Sequence, residues 1–159
     1  MTDPFLGLRA TLLEGSPAGF GITMVTETHG VWGLLVDMGF AAGVATVAMT
    51  IDGNASVYYQ GGGGIIGGVG IEPVRKLARQ VTIFAEQFVE SCEPASDFPL
   101  PGAGDVALHI LTRDGVRSGL ASRAELESKE HPLSMLYLAS QGVVAALRQA
   151  SDAGKQEDR

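Results

Sequence analysis

The stretch 31-VWGLLVDMGFAAGVATVAMTIDGNASVYYQ-60 decides the fold class. Val31 to Met38 is apolar on both faces, with Trp32, Leu34 and Val36 on one side and Val31 and Leu35 on the other. A strand buried on both faces belongs in the middle of a sheet. Gly39 to Gly43 turns the chain. Val44 to Ile51 then alternates, with Ala45, Val47, Met49 and Ile51 on one face and two threonines on the other. That period of two is the mark of a strand. Asp52-Gly53 reads as a two-residue hairpin turn, because a type I′ turn needs the positive φ that Asp, Asn and Gly tolerate. Ala55 to Gln60 is the return strand, and its Tyr58 and Tyr59 must face opposite sides of the sheet.

Beyond this meander lies Gly61 to Gly70, in which seven of ten residues are glycine. Glu72-Pro73 opens a helix predicted to run to Ser91. Val74, Leu77, Ala78, Val81, Phe84, Ala85, Phe88 and Cys92 fall at helical spacing on its core face. Glu93 to Gly104 is a proline-rich loop. A second hairpin follows, Val106 to Thr112 and Val116 to Ala121, turning at Asp114-Gly115. Ser122-Arg123-Ala124-Glu125 has the pattern of a capping box opening a short helical piece. The last helix is predicted over Pro132 to Ala150, with Leu133, Leu136, Tyr137, Ser140, Val143, Val144 and Leu147 inward. Before the meander, a short helix spans Pro4 to Glu14, with Asp3 as its cap and Phe5, Leu8 and Leu12 on one face. Ile22 to Thr26 is a further candidate strand.

The order is α-β-β-β-α-β-β-α. Hairpin connections make this an α+β protein, an antiparallel sheet of about five strands with helices packed against it. Over Pro4 to Ala150 this element order resembles that of the class I type III secretion chaperones and related small bacterial proteins. The resemblance implies an acidic, cytosolic, usually homodimeric protein of similar length, and the run Gly61–Gly64 departs from its pattern. The stretch from Asp52-Gly53 through Tyr58-Tyr59-Gln60 to Gly64 is also similar to runs in uncharacterised bacterial proteins.

With 159 residues the chain is long enough for one domain with a real core and short for two. Residues 1–150 read as that domain and 151–159 as a flexible polar tail. Hydrophobic residues make up 45% and charged residues 18%, a balance that folds rather than stays disordered. The net charge of −7 repels phosphate backbones and anionic lipid, so neither nucleic acid nor a membrane is expected as partner. Cys92 is the one cysteine, so nothing demands an oxidising compartment. Met1-Thr2-Asp3-Pro4 lacks a signal peptide's basic region, and a cytoplasmic location is the expectation.

Motifs for catalysis are absent: no G-x-S-x-G, H-E-x-x-H or C-x-x-C occurs. Gly62, Gly64 and Gly67 match G-x-G-x-x-G, but the next helix starts too late and the strands around it are antiparallel, so no dinucleotide cofactor is expected. Asp52-Gly53-Asn54-Ala55-Ser56 begins like a calcium loop and fails at Val57 and Gly63. His29, His109 and His131 lack metal-ligand spacing, and no metal or other cofactor is expected. His109 alternates with Ala107 and Leu111 as a packed or half-exposed strand residue, His131 before the helix-opening Pro132 reads as an N-cap or turn residue, and Cys92 as a buried inert thiol. One arrangement points to a ligand. Arg75, Lys76 and Arg79 begin a helix, against its dipole, just after Gly61, Gly62, Gly63, Gly64 and Gly67, and an anion on the glycine amides would offset that placement.

Two functions are consistent with these residues. The first is a non-enzymatic protein-interaction module, an adaptor, chaperone or immunity-like protein, that forms a homodimer and binds a protein partner. The second is an anion or small-ligand binding domain built on residues 61–70 and the basic helix start.

Overall fold

The computed structural model describes residues 4–65 and 71–157. In chain order these form α1 (Pro4–Leu13), β1 (Val31–Phe40), β2 (Gly43–Thr50), β3 (Ala55–Tyr59), β4 (Gly64–Ile65), α2 (Glu72–Phe84), β5 (Glu93–Ala95), β6 (Asp105–Thr112), β7 (Gly115–Ser122), α3 (Arg123–Glu127) and α4 (Ser134–Glu157). The protein is α+β with an antiparallel sheet, as the sequence predicts, but the sheet has seven strands rather than about five. The additional strands are β4, two residues on the edge of β3, and β5, three residues on the edge of β7. Neither is long enough to display alternation. The order β4-β3-β2-β1-β6-β7-β5 puts β1 at the centre, where its two apolar faces can both be covered.

One face of the sheet carries Leu34, Val36, Met38, Val47, Met49, Leu108 and Ile110, and α2 and α4 close over it. From the α2 side come Val74, Ala78 and Val81, then Ala85 and Val89 from a 3-10 segment, Ala85–Ser91. The chain therefore leaves α-helical winding at Phe84 instead of Ser91. A 3-10 turn holds fewer residues than an α turn, so the apolar stripe rotates. Phe84 and Phe88 end up half-buried rather than in the core, edge to face at 4.9 Å. In α4 and just before it, all seven residues predicted inward are buried. The helix lies antiparallel to α2: Leu133 sits against Gly119 beside Cys92, while Gly142 faces Leu77. It continues through Glu157, past the predicted end at Ala150, because residues 151–157 contain no proline to stop it.

The opposite face carries Trp32, Leu35, Ala48, Ile51 and Leu111 under Leu13 and Ile22. Trp32 shares a side with Leu35, not Leu34, because the β1–β6 register shifts between Val31 and Gly33. Ile51 lies beyond the end of β2 and leaves the alternation predicted for it. The β2–β3 connection spans residues 51–54 with positive φ at Gly53 but not at Asp52, so it is not a type I′ turn. Residues 22–26 are irregular rather than a strand. The α1 helix turns Phe5, Arg9 and Leu13 inward, and Leu8, predicted to share a face with Phe5, is exposed. The Asp3 cap lies outside the described residues. Ser122 and Glu125 form the predicted capping box, each side chain bonded to the other's backbone N–H.

Candidate functional site

Asp37 is the one charge in β1 and Arg9 the one charge in α1, and the two meet inside the protein. Arg9 donates from Nε to both carboxylate oxygens, at 3.1 and 3.0 Å, and from Nη2 to Oδ2 at 2.7 Å. The same Nη2 donates to the Phe98 carbonyl at 2.8 Å, so one guanidinium ties α1, β1 and the proline-rich loop together. Thr46 on β2 donates its hydroxyl to Asp37 Oδ1 at 2.5 Å. His109 on β6 places Nε2 3.3 Å from Oδ2 and Nδ1 2.6 Å from the Ser118 hydroxyl on β7. A carboxylate only accepts, so Nε2 carries the proton toward Asp37. The Phe98 ring stands edge-on to His109 at 5.4 Å. Burial alone would raise the Asp37 carboxyl. Hydrogen bonds from His109, Arg9 and Thr46, with the charge of Arg9, outweigh it and hold the group below the ordinary carboxylate range.

This chain of serine, histidine and aspartate has the connectivity of a nucleophile relay. Asp37, His109 and Arg9 are buried, however, and Ser118 sits half-buried within a regular strand rather than on a sharp turn. The arrangement serves as a clamp that seats α1 and the Phe98 loop on the sheet. The sequence places His109 as a packed or half-exposed strand residue; it is packed, with partners that the sequence did not reveal. The available signal was a lone aspartate in a strand apolar on both faces, which must be neutralised when buried.

The glycine run divides. Gly61 to Gly63 form the β3–β4 turn, with Gly62 N–H on the Tyr59 carbonyl at 2.9 Å and Tyr59 N–H on the Gly63 carbonyl at 3.2 Å. Positive φ at Gly62 (108°) and Gly63 (84°) calls for glycine there. Gly64 begins β4, where a Cβ would run into the Val57 carbonyl. Gly67 lies outside the described residues. Arg75 is at the other end of β3: it pairs with Glu72 at 3.0 Å and packs against Gly53 in the β2–β3 connection. An extended strand of that length separates the two turns by about 20 Å. Lys76 is exposed, and Arg79 Nη2 meets the Met24 sulfur at 3.8 Å. The structure thus brings Gly61–Gly64 together with Tyr58, Tyr59 and Gln60, and not with Arg75.

Cavities flank that turn on both faces of the sheet. On the α4 side, one of about 530 Å³ is lined by Met38, Phe40, Val44, Tyr59, Gly61, Gln141 and Arg148 among others. On the α1 side, one of about 450 Å³ lies between Phe5, Leu8, Tyr58 and Gly61 to Gly64. A third, of about 300 Å³, lies between α1 and β2–β3. Ser118 and His109 line none of these.

The remaining candidates have local roles. His131 Nδ1 accepts from the Leu133 N–H at 3.0 Å, opening α4 as predicted. His29 lies 3.9 Å from the exposed Glu90 carboxylate. Cys92 is buried, and desolvation pushes its thiol up to about 11, so it is inert. Among the described residues no three His, Cys, Asp or Glu side chains converge to hold a metal ion, and no helix is long and apolar enough to cross a membrane. No family model, curated protein or solved structure matches this sequence.

Proposed function

We infer that the chain is a non-enzymatic protein-interaction module that acts as a homodimer. The observation that carries this reading is the outer side of α4. From Ser134 to Leu147 the helix has no charged residue, and the positions it turns to solvent include Met135 and Ala145, beside half-buried Leu138 and Ala139. A helix packed on a sheet ordinarily presents charged residues on its far side. Small residues there let a second helix approach closely, because interaxial distance follows side-chain size at the contact. A second copy of the chain brings the same surface, which suits a two-fold contact. The acidic net charge opposes self-association elsewhere, which favours an uncharged contact. The enclosure of Asp37 and His109 supports a binding role over a catalytic one.

Light scattering on the purified chain tests this. A mass twice the 16.5 kDa of one chain is expected at micromolar concentration. Met135→Glu should give a monomer with unchanged far-UV circular dichroism, since Met135 is 54% exposed. A monomeric parent protein, or a variant that still dimerises, would refute the reading.

A further inference from the structure

We propose that the cavity between α4 and the ends of β1, β2 and β3 binds a small molecule with an apolar body and a single anionic group, of the kind a medium-chain carboxylate represents. The proposal is independent of the homodimer, since it rests on a different side of α4.

Its volume of about 530 Å³ falls within the range of small-molecule sites, and its lining has their composition. Met38, Val44, Ala45, Val57 and Val144 form an apolar floor and are all buried core residues. The polar lining residues are the more exposed ones: Gln60 and Arg148 are exposed, and Tyr59 and Gln141 half-buried. No carboxylate lines the cavity. An apolar body on the floor would therefore leave its charged end among donors.

Arg148 sets the sign of that charge. Arg9 and Arg75 have carboxylate partners, Arg113, Arg117 and Arg123 donate to backbone carbonyls, and Arg79 meets a sulfur. Arg148 has no hydrogen bond or ion pair among the described residues, although Asp152 lies one helical turn away in a chain of net charge −7. A guanidinium without a partner at the rim of an apolar cavity is suited to a carboxylate or a phosphate, which it grips with two parallel hydrogen bonds. The glutamines reinforce it. Gln60 Oε1 is occupied by the Val44 N–H at 2.9 Å, which leaves its amide NH₂ as the donor end. Gln141 Nε2 is spent on the Met38 sulfur at 3.1 Å, a weak acceptor that a ligand oxygen can displace.

Gly61 supplies an independent observation. Its φ is not in the left-handed region, and a Cβ there would meet nothing within 4 Å, so neither backbone nor packing requires glycine. What a side chain would do is enter open space at a position lining the cavities on both faces.

Decanoate is the probe, with decanol as its neutral counterpart, titrated calorimetrically into the full chain and followed by methyl NMR. The expected result is saturable one-to-one binding of decanoate, tighter than decanol, with shifts of the Val44, Val57 and Val144 methyl signals. Arg148→Gln should keep the thermal midpoint, weaken decanoate about ten-fold and leave decanol unchanged. The proposal is overturned by absence of saturable decanoate binding, by equal affinity for acid and alcohol, by an unchanged affinity in the variant, or by shifts confined to Leu8, Leu12 and Ile22 on the opposite face.

Discussion

Replacing Asp37 with asparagine keeps the side chain's size and removes the negative charge that faces Arg9. In the native protein the carboxylate takes two hydrogen bonds from Arg9 Nε, one from Nη2, one from Thr46 and one from His109. The amide cannot reproduce this: its NH₂ end would point at another donor, and the guanidinium would stay buried without a countercharge. Arg9 is 6% exposed and Asp37 fully buried, so solvent offers no relief. Removing one partner of a buried ion pair costs about 3–5 kcal/mol. With a urea m-value of about 2 kcal/mol/M for a small domain, the midpoint should fall by about 2 M. Equilibrium unfolding by circular dichroism and tryptophan fluorescence measures this, and Trp32 lies on the same side of the sheet as the pair. The double variant Arg9→Met with Asp37→Leu is the control. Apolar residues of similar volume can replace a buried pair at little or no cost, so the double variant should be more stable than D37N. A midpoint shift below about 0.5 M in D37N would refute the view that the pair is enclosed and mutually dependent.

Two further outcomes follow from the same burial. The folded Asp37 carboxyl sits below its unfolded value of about 4, so its stabilising contribution is complete above that value and is lost as pH falls through the lower folded one. The stability gap between the parent protein and D37N, measured in urea across acidic pH, should narrow in that direction, and a constant gap would contradict the assignment. Cys92, with its thiol pushed up to about 11, should react with a thiol reagent at neutral pH only as fast as the protein opens; prompt modification of the folded protein would place it at the surface.

Much of the fold is legible locally. The β1–β2–β3 meander follows from period-two alternation in residues 31–60, and the helices from apolar spacing near 3.6. The capping box at Ser122 and Glu125 and the turn role of His131 are contacts within three residues, so sequence spacing specifies them. Errors fall where spacing stops being informative. Two residues of β4 and three of β5 are too short for a period, and exist because a neighbouring strand offers a ladder. The burial of Trp32 and Phe84 depends on a register shift and on a change to 3-10 winding, each a local departure that a fixed period misplaces.

The candidate sites divide along the same line. Adjacency in sequence joins Gly61–Gly64 to Arg75, Lys76 and Arg79, but β3 separates the turn from Arg75 in space. Arg9 and Asp37 are 28 residues apart, and Asp37 and His109 are 72 apart. The sequence alone determined that Asp37 stood as a lone charge in a strand apolar on both faces and so needed a partner. Which partner it found, and which residues closed around Arg148 and Gly61, was decided by tertiary structure. Side-chain direction along a strand or helix is a short-range property of the backbone, whereas the meeting of distant side chains is set by strand order and by how the helices lie across the sheet.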